Sequence, residues 1–163
     1  MIFVTAGSQK FQFNRLLQYI DNLVDRGIIH EEIFAQIGFS DYKPRNYSYK
    51  DFLDRDEFIQ KIRDSRIIIT HGGTGSIMGA VKEGKKVIAV PRLSRYGEHV
   101  DDHQEQIIKQ LIKERIIMGV NRMEEIVDVL EKADTFTALP YVSNTQAIID
   151  SINDYIIRIT KTK

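Results

Sequence analysis

The chain alternates short apolar runs with segments whose apolar residues recur at helical spacing. The clearest run, Arg66-Ile67-Ile68-Ile69-Thr70, has no polar alternation, which is typical of a parallel strand covered on both faces. Similar runs predict further strands at 2–5, 33–37, 87–90 and 116–120, and a short one at 47–52.

Helical periodicity fills the intervals between these runs. One stretch carries an apolar stripe made of Phe13, Leu16, Leu17, Ile20, Leu23 and Val24, and Gly27 is its natural end. Further helices are predicted over 56–64, from 76 to about 83, over 123–133, and after residue 102 with Ile107, Ile108, Leu111 and Ile112 facing inward.

Two details of the C-terminal part are also predicted. Asn121 and Glu124 have the spacing of a capping box for the helix over 123–133. Asn144 is the expected cap of a final helix. Its apolar residues are predicted to pack in the core: Ile148, Ile152, Tyr155, Ile156 and Ile159.

Alternating strands and helices favour one architecture, a three-layer Rossmann-like α/β fold with a mainly parallel sheet. A length of 163 residues suits a single domain over 1–163. In such sheets ligands bind beyond the carboxyl ends of the strands, so we expect the loops after Ala6, Ile37, Thr70 and Val90 to share one edge.

Composition removes several classes of function. Lys and Arg total 23 against 23 Asp and Glu, so the chain lacks the basic excess of most nucleic-acid-binding proteins. Without cysteine it has no disulfide, thiolate metal site or thiol nucleophile. The first residues do not form a secretory signal, and no stretch has the roughly 20 apolar residues of a membrane span, so we expect a cytoplasmic location.

Two glycine-bearing loops follow predicted strands, Gly7-Ser8-Gln9 and His71-Gly72-Gly73-Thr74-Gly75-Ser76. Glycine lets the backbone approach a ligand closely, and the second loop opens a helix whose free N–H groups suit a phosphate. A plain strand-to-helix turn is the alternative. The phosphate-binding P-loop, the dinucleotide fingerprint and the esterase oxyanion loop each match only in part.

A second polar constellation follows Pro91-Arg92 and runs from Tyr96 to Gln104. Its Arg, Glu, Asp, His and Gln side chains are groups that bind phosphates and sugar hydroxyls. His99 and His103 lie four residues apart, a spacing compatible with a metal ion if Asp102 supplies a third ligand. The alternative is a solvated loop in which Asp101 or Asp102 caps the next helix, and we expect no metal and no cofactor.

Together these residues resemble the C-terminal, nucleotide-sugar-binding half of the GT-B glycosyltransferases of family 28. The resemblance is carried by Phe3-Val4-Thr5-Ala6-Gly7, by Thr70–Ser76, and by Val90-Pro91-Arg92 with Glu98–Gln104, and it covers nearly the whole chain. It is greatest to the small donor-binding subunits of two-part bacterial exopolysaccharide and capsule transferases, which themselves resemble the cytosolic subunit of the dolichol-linked N-acetylglucosaminyltransferase.

The resemblance implies a UDP-sugar donor, a lipid-linked saccharide acceptor and a membrane-anchored partner subunit that holds this acceptor and supplies the general base. It implies that the glycine loops cradle the diphosphate and that His103 and Gln104 contact the donor sugar. The full set of implied donor-binding residues is Gly7, Ser8, His71, Gly72, Gly73, Thr74, Gly75, Ser76, Arg92, Glu98, His99, Asp102, His103 and Gln104.

The implied function is inverting transfer of a hexose, of the galactose or N-acetylglucosamine class, in exopolysaccharide or capsule synthesis. One departure affects the nucleotide: the peptidoglycan-type relatives bind the ribose with a Glu on the helix after the glycine loop, where this chain has Gly79. Two alternatives stay open. They are a non-catalytic nucleotide-binding module of polysaccharide assembly and an NADP-dependent enzyme with Arg92 on the 2′-phosphate.

Overall fold

The computed structural model describes residues 1–141 and 145–160, with the backbone alone at 145–148, 154 and 158–160. Its strands are β1 (Ile2–Thr5), β2 (Ile33–Gln36), β3 (Ser48–Lys50), β4 (Ile67–His71), β5 (Lys86–Val90) and β6 (Met118–Gly119). Its α-helices are α1 (Asn14–Asp25), α2 (Arg55–Asp64), α3 (Thr74–Lys82), α4 (His103–Lys113), α5 (Glu125–Lys132) and α6 (Thr145–Thr160), and a 3₁₀ turn covers Ser94–Tyr96.

Within the described residues these strands form one parallel sheet in the order β3-β2-β1-β4-β5-β6. Thr5 lies beside both Gln36 and Thr70, and His71 lies beside Val90. The strands therefore end level with one another, and the loops that follow β1, β2, β4 and β5 meet at one edge, as the sequence predicts.

Each face of the sheet has its own core because successive residues of a strand point to opposite sides. Ile67 and Ile69 belong to the cluster that contains the buried stripe of α1 and Ile126 of α5. Ile68 belongs to the other cluster, where Ile62 of α2, Ile77 of α3 and Ile108 of α4 cover the sheet. This confirms the three-layer α/β prediction and explains the unbroken apolar run of β4.

The first helix ends where the sequence predicts. Gly27 has a φ of +63°, a left-handed conformation that glycine adopts without steric cost. Its N–H donates to the carbonyl of Val24 (2.9 Å), and the N–H of Ile28 donates to that of Leu23 (2.9 Å). These bonds satisfy carbonyls at the end of α1 and turn the chain toward β2.

Two predictions about helix ends and faces are wrong. Glu124 is not the side chain that satisfies the start of α5, since the Glu125 carboxylate accepts the N–H groups of Asn121 (2.9 Å) and Arg122 (3.4 Å). The sequence pattern predicts that Ile112 of α4 faces the core, but 38% of this residue is exposed.

The prediction that the final helix packs in the core is also wrong. α6 forms, yet Ile152, Tyr155 and Ile156 are 48–65% exposed, and Ile149 and Ile157 are exposed as well. Asn144 and the side chains of Ile148 and Ile159 lie outside the described residues. Among the helices that are described, none has the length and apolar character to cross a lipid bilayer.

Candidate functional site

The carboxyl edge of the sheet brings together the glycine loops that the sequence singles out. β1 and β4 are neighbours, so Gly7 and the His71-Gly72-Gly73 turn lie side by side, and Arg92 follows on the adjacent β5. Ser8 is exposed at the start of the first loop. Residues more than 60 positions apart in the chain thus share one small region.

The imidazole of His71 fills the space between the two glycine loops. A Cβ placed on Gly7 or on Gly73 would come closer than 3.0 Å to this ring, a distance that real Cβ atoms essentially never show. Gly7 also has a φ of +76°, and its N–H donates to the Thr5 hydroxyl (3.1 Å). Both glycines are therefore required for close packing around His71, whatever ligand the loops bind.

His71 is enclosed and electrically neutral at physiological pH. Its exposed fraction is 6%, and its Nδ1 lies 3.3 Å from the Thr70 hydroxyl. Burial, with the positive charge of Arg92 as a smaller cause, lowers the pKa of His71 to about 4. A neutral imidazole can both donate and accept a hydrogen bond, which suits a role in holding the two loops together.

Gln104 joins the ends of β4 and β5 to the start of α4. Its side-chain Oε1 accepts the N–H of Gly72 (3.0 Å) and the N–H of Arg92 (3.1 Å). A Cβ on Gly72 would fall within 3.0 Å of the Gln104 side chain, so this turn also depends on glycine. Gln104, which the resemblance assigns to the donor sugar, is buried, and its side-chain oxygen is engaged inside the protein.

Arg92 is fully buried. Its Nη2 donates to the carbonyls of Ala6 and Phe11 (the latter at 3.1 Å), and its guanidinium lies 5.4 Å from the centre of the Phe13 ring. Burial lowers its pKa to about 10, so it remains charged. Among the described residues its Nε and Nη1 have no hydrogen-bond partner.

Glu98, in the loop after β5, is also buried, and its negative charge partly compensates the positive charge of Arg92. Its two carboxylate oxygens form a bidentate pair with Arg15 (2.8 and 2.9 Å) and accept the N–H of Leu93 (3.0 Å). Arg15 also donates to the carbonyl of Pro91 (2.9 Å). Arg92 and Glu98 expose no surface, so both stabilise the loops around the site from inside the protein. The NADP alternative required Arg92 to reach a 2′-phosphate, and a fully buried guanidinium does not offer this contact.

The start of α3 is the part of the edge best suited to an anion. Gly73 precedes it, Thr74 and Gly75 are exposed, and Ser76 is half-buried. The first N–H groups of a helix lack intrahelical partners and lie at the positive end of its dipole. Within the described residues no side chain caps this end, and its first turn contains no acidic residue. Gly79 lies one turn further on, beside open space.

The polar loop after β5 differs in one respect from the prediction. His99 and His103 do approach each other, with ring centres 4.9 Å apart, but their acidic neighbour is Asp101. Asp102 instead accepts the N–H of Ser94 (2.7 Å). The sequence reasoning also missed Arg15, because nothing in the pattern of α1 shows that it reaches residue 98.

We predict that Gly73→Ala destabilises the protein, since the added methyl group would overlap the His71 ring. Overpacking of this kind costs about 1–3 kcal/mol. The matched control is Gly75→Ala, where a Cβ meets nothing within 4 Å and alanine favours the helix. Urea unfolding measures both free energies, and equal stability of the two variants would contradict the proposed packing.

We also predict that acid destabilises the protein through His71. Its folded pKa of about 4 lies below the ordinary 6.5, so the unfolded chain binds a proton that the folded chain does not. Stability from this group is complete above pH 6.5 and falls by up to about 3 kcal/mol as the pH approaches 4. NMR titration of the imidazole and urea unfolding between pH 7 and pH 4 test this. His71→Gln should flatten the pH dependence, and a His71 titration near pH 6.5 would contradict the prediction.

Comparison with known proteins agrees with this architecture. The glycotransferase of kitacinnamycin superposes with a TM-score of 0.61 at 15% identity, over 81% of this chain and 34% of that one. MurG of Acinetobacter baumannii gives 0.59 at 17% identity, over 94% and 49%. The solution structure of ALG13 gives 0.56 at 18% identity, over 89% and 91%.

The chain therefore spans between a third and a half of the two transferases, and it corresponds to the C-terminal half of a GT-B fold. At these identities the structural likeness shows the fold alone. The family model of the glycosyltransferase family 28 C-terminal domain matches residues 1–156. This match covers almost the whole sequence, and it shows that the chain belongs to the glycosyltransferase family 28 C-terminal domain family.

Proposed function

We propose that the chain is the UDP-sugar-binding catalytic subunit of an inverting glycosyltransferase. The observation that carries the proposal is the open, uncapped start of α3 beside two glycine loops packed on His71. The donor diphosphate would lie against the backbone N–H groups of 74–76. Ser8 and the Thr74 hydroxyl lie at the same carboxyl edge of the sheet and would be available to the diphosphate. We propose a hexose of the galactose or N-acetylglucosamine class as the transferred sugar.

The proposed chemistry follows from where charge develops. An acceptor hydroxyl oxygen attacks the anomeric carbon from the side opposite the nucleotide, the bond from that carbon to the phosphate oxygen breaks, and UDP leaves with both electrons. Fixed N–H dipoles at the start of α3 stabilise the charge that builds up on this leaving group. We propose that they do so without a metal or cofactor.

A general base must take the proton of the acceptor hydroxyl. His71 is an unsuitable base because it is 6% exposed and enclosed by the two glycine loops. We therefore propose that a membrane-anchored partner subunit supplies the base and binds a lipid-linked saccharide, and that the chain lies at the cytoplasmic face of the membrane through this partner. The chain spans between a third and a half of the length of two structurally similar transferases, which is compatible with an acceptor site outside this domain. The biological role that we propose is exopolysaccharide or capsule synthesis.

The enclosure of His71 also favours a second candidate function. If no other group of the chain acts as the base, the chain could be a non-catalytic nucleotide-binding module that regulates polysaccharide assembly. Both candidates require nucleotide binding at the start of α3, and only the first requires sugar transfer when the partner is present.

We predict that Gly75→Asp weakens UDP and UDP-sugar binding by at least about tenfold, a change of about 1.4 kcal/mol. An acidic residue in the first helical turn is compatible with the dipole, so the fold should persist while the carboxylate repels the diphosphate. Gly75→Asn is the matched neutral control and should bind as the wild type does. Isothermal titration with UDP, UDP-galactose and UDP-N-acetylglucosamine measures the affinities, and equal binding by the two variants would contradict this position for the diphosphate.

We also predict that the purified chain alone does not transfer sugar. Transfer of labelled sugar from the UDP-sugar to lipid should appear when the chain is added to membranes of its source organism that lack this subunit. Membranes alone are the control. Transfer by the isolated chain would contradict the need for a partner, and donor binding without transfer in every combination would favour the regulatory module.

A further inference from the structure

The loop between β5 and α4 carries a cluster that takes no part in the chemical steps proposed above, although the family resemblance implies that His99 and His103 contact the donor. His99, Asp101 and His103 each offer one possible ligand atom, and these three atoms lie within 4.8 Å of one another. Loop geometry brings the two histidines together, since His99 precedes α4 and His103 is its first residue. From this cluster we propose a binding site for a first-row transition-metal ion such as Zn²⁺.

The ligand types favour such an ion over magnesium or calcium. Two imidazole nitrogens and one carboxylate oxygen form a set that zinc and its neighbours bind well, whereas hard cations prefer oxygen alone. The set is also that of an open site, with three protein ligands and a position left for water or a ligand oxygen. The half-exposed side chains of Asp101 and His103 leave access from solvent.

One ligand spacing already agrees with tetrahedral coordination. His99 Nδ1 lies 3.3 Å from Asp101 Oδ1. Zn–N and Zn–O bonds of about 2.0–2.2 Å put neighbouring ligand atoms of a tetrahedron roughly 3.3–3.6 Å apart. His103 Nδ1 contacts the same Asp101 oxygen directly, and a metal ion would part these two atoms. Both of their side chains are half-exposed and free of the core, so this adjustment is small.

One ligand is held in place before any ion arrives. The His99 side chain is 8% exposed, and its ring lies 5.2 Å from that of Phe11. It therefore provides a nitrogen held by packing, next to the more exposed Asp101 and His103. Helix capping accounts for part of the cluster, because Asp101 accepts the N–H of His103 (3.2 Å), but it gives no reason for two imidazoles around that carboxylate.

A bound ion would cross-link the loop to the first residue of α4, next to Gln104, which ties the same helix to Gly72 and Arg92. It would stabilise the folded chain because it binds the assembled loop and not the dispersed ligands of the unfolded chain. No step of the proposed sugar transfer runs through this ion, so the inference stands or falls by itself.

The test is titration of the full, untagged chain with Zn²⁺ by calorimetry, together with thermal unfolding in the presence of Zn²⁺ or EDTA. We expect one ion per chain and a higher melting temperature with Zn²⁺. His103→Ala and Asp101→Asn should each weaken Zn²⁺ binding by at least about tenfold. His30→Ala, which removes an exposed histidine elsewhere, is the matched control and should bind as the wild type does.

His99→Ala should also weaken binding, but it removes packing against Phe11, so the two exposed variants carry the test. Their circular dichroism and melting in EDTA should equal those of the wild type. Absence of Zn²⁺ binding by the wild type would overturn the proposal. Equal affinities of His103→Ala, Asp101→Asn and His30→Ala would overturn it as well.

Discussion

The packing of one imidazole between two glycines is the contact on which the candidate site depends. β1 and β4 are parallel neighbours, so the loops that leave them lie side by side and need a fixed separation. The His71 ring fixes that separation, and Gly7 and Gly73 let both backbones come into contact with it. Burial of the ring disfavours its charged form, which is why the pKa of His71 is lowered. Because the ring stays neutral, the loops are held without placing another positive charge beside Arg92.

The buried charges beside the site are also compensated by their surroundings. A buried guanidinium is costly unless hydrogen bonds and an opposite charge compensate it. Arg92 receives two carbonyls and an aromatic face, while Glu98 lies close enough to oppose the effect of burial on its pKa. Glu98 is itself neutralised by Arg15 from the first helix. This chain of contacts ties α1, the loop after β1 and the loop after β5 into one support for the edge where α3 begins.

The exposed apolar residues of α6 contrast with this closely packed edge. Its sequence has the isoleucine-rich periodicity of a core helix, yet Ile152 and Tyr155 are more than half exposed. Periodicity reports that a helix has an apolar stripe, and it does not report whether the same chain covers that stripe. The buried stripe of α1 has a similar pattern, but it packs in one cluster with the sheet and Ile126 of α5, which explains why one prediction is confirmed and the other is wrong.

Local periodicity and the glycines at strand ends are enough to predict the order and kind of the elements, the parallel sheet and the glycine loops. It also identified the family through motifs that span nearly the whole chain. Tertiary contacts were needed to show that Arg92 and Glu98 are buried, that Arg15 is the ion-pair partner of Glu98, and that Asp101 rather than Asp102 lies beside the two histidines. These are contacts between distant segments or directions of side chains within a loop, and neither has a period that a sequence can display.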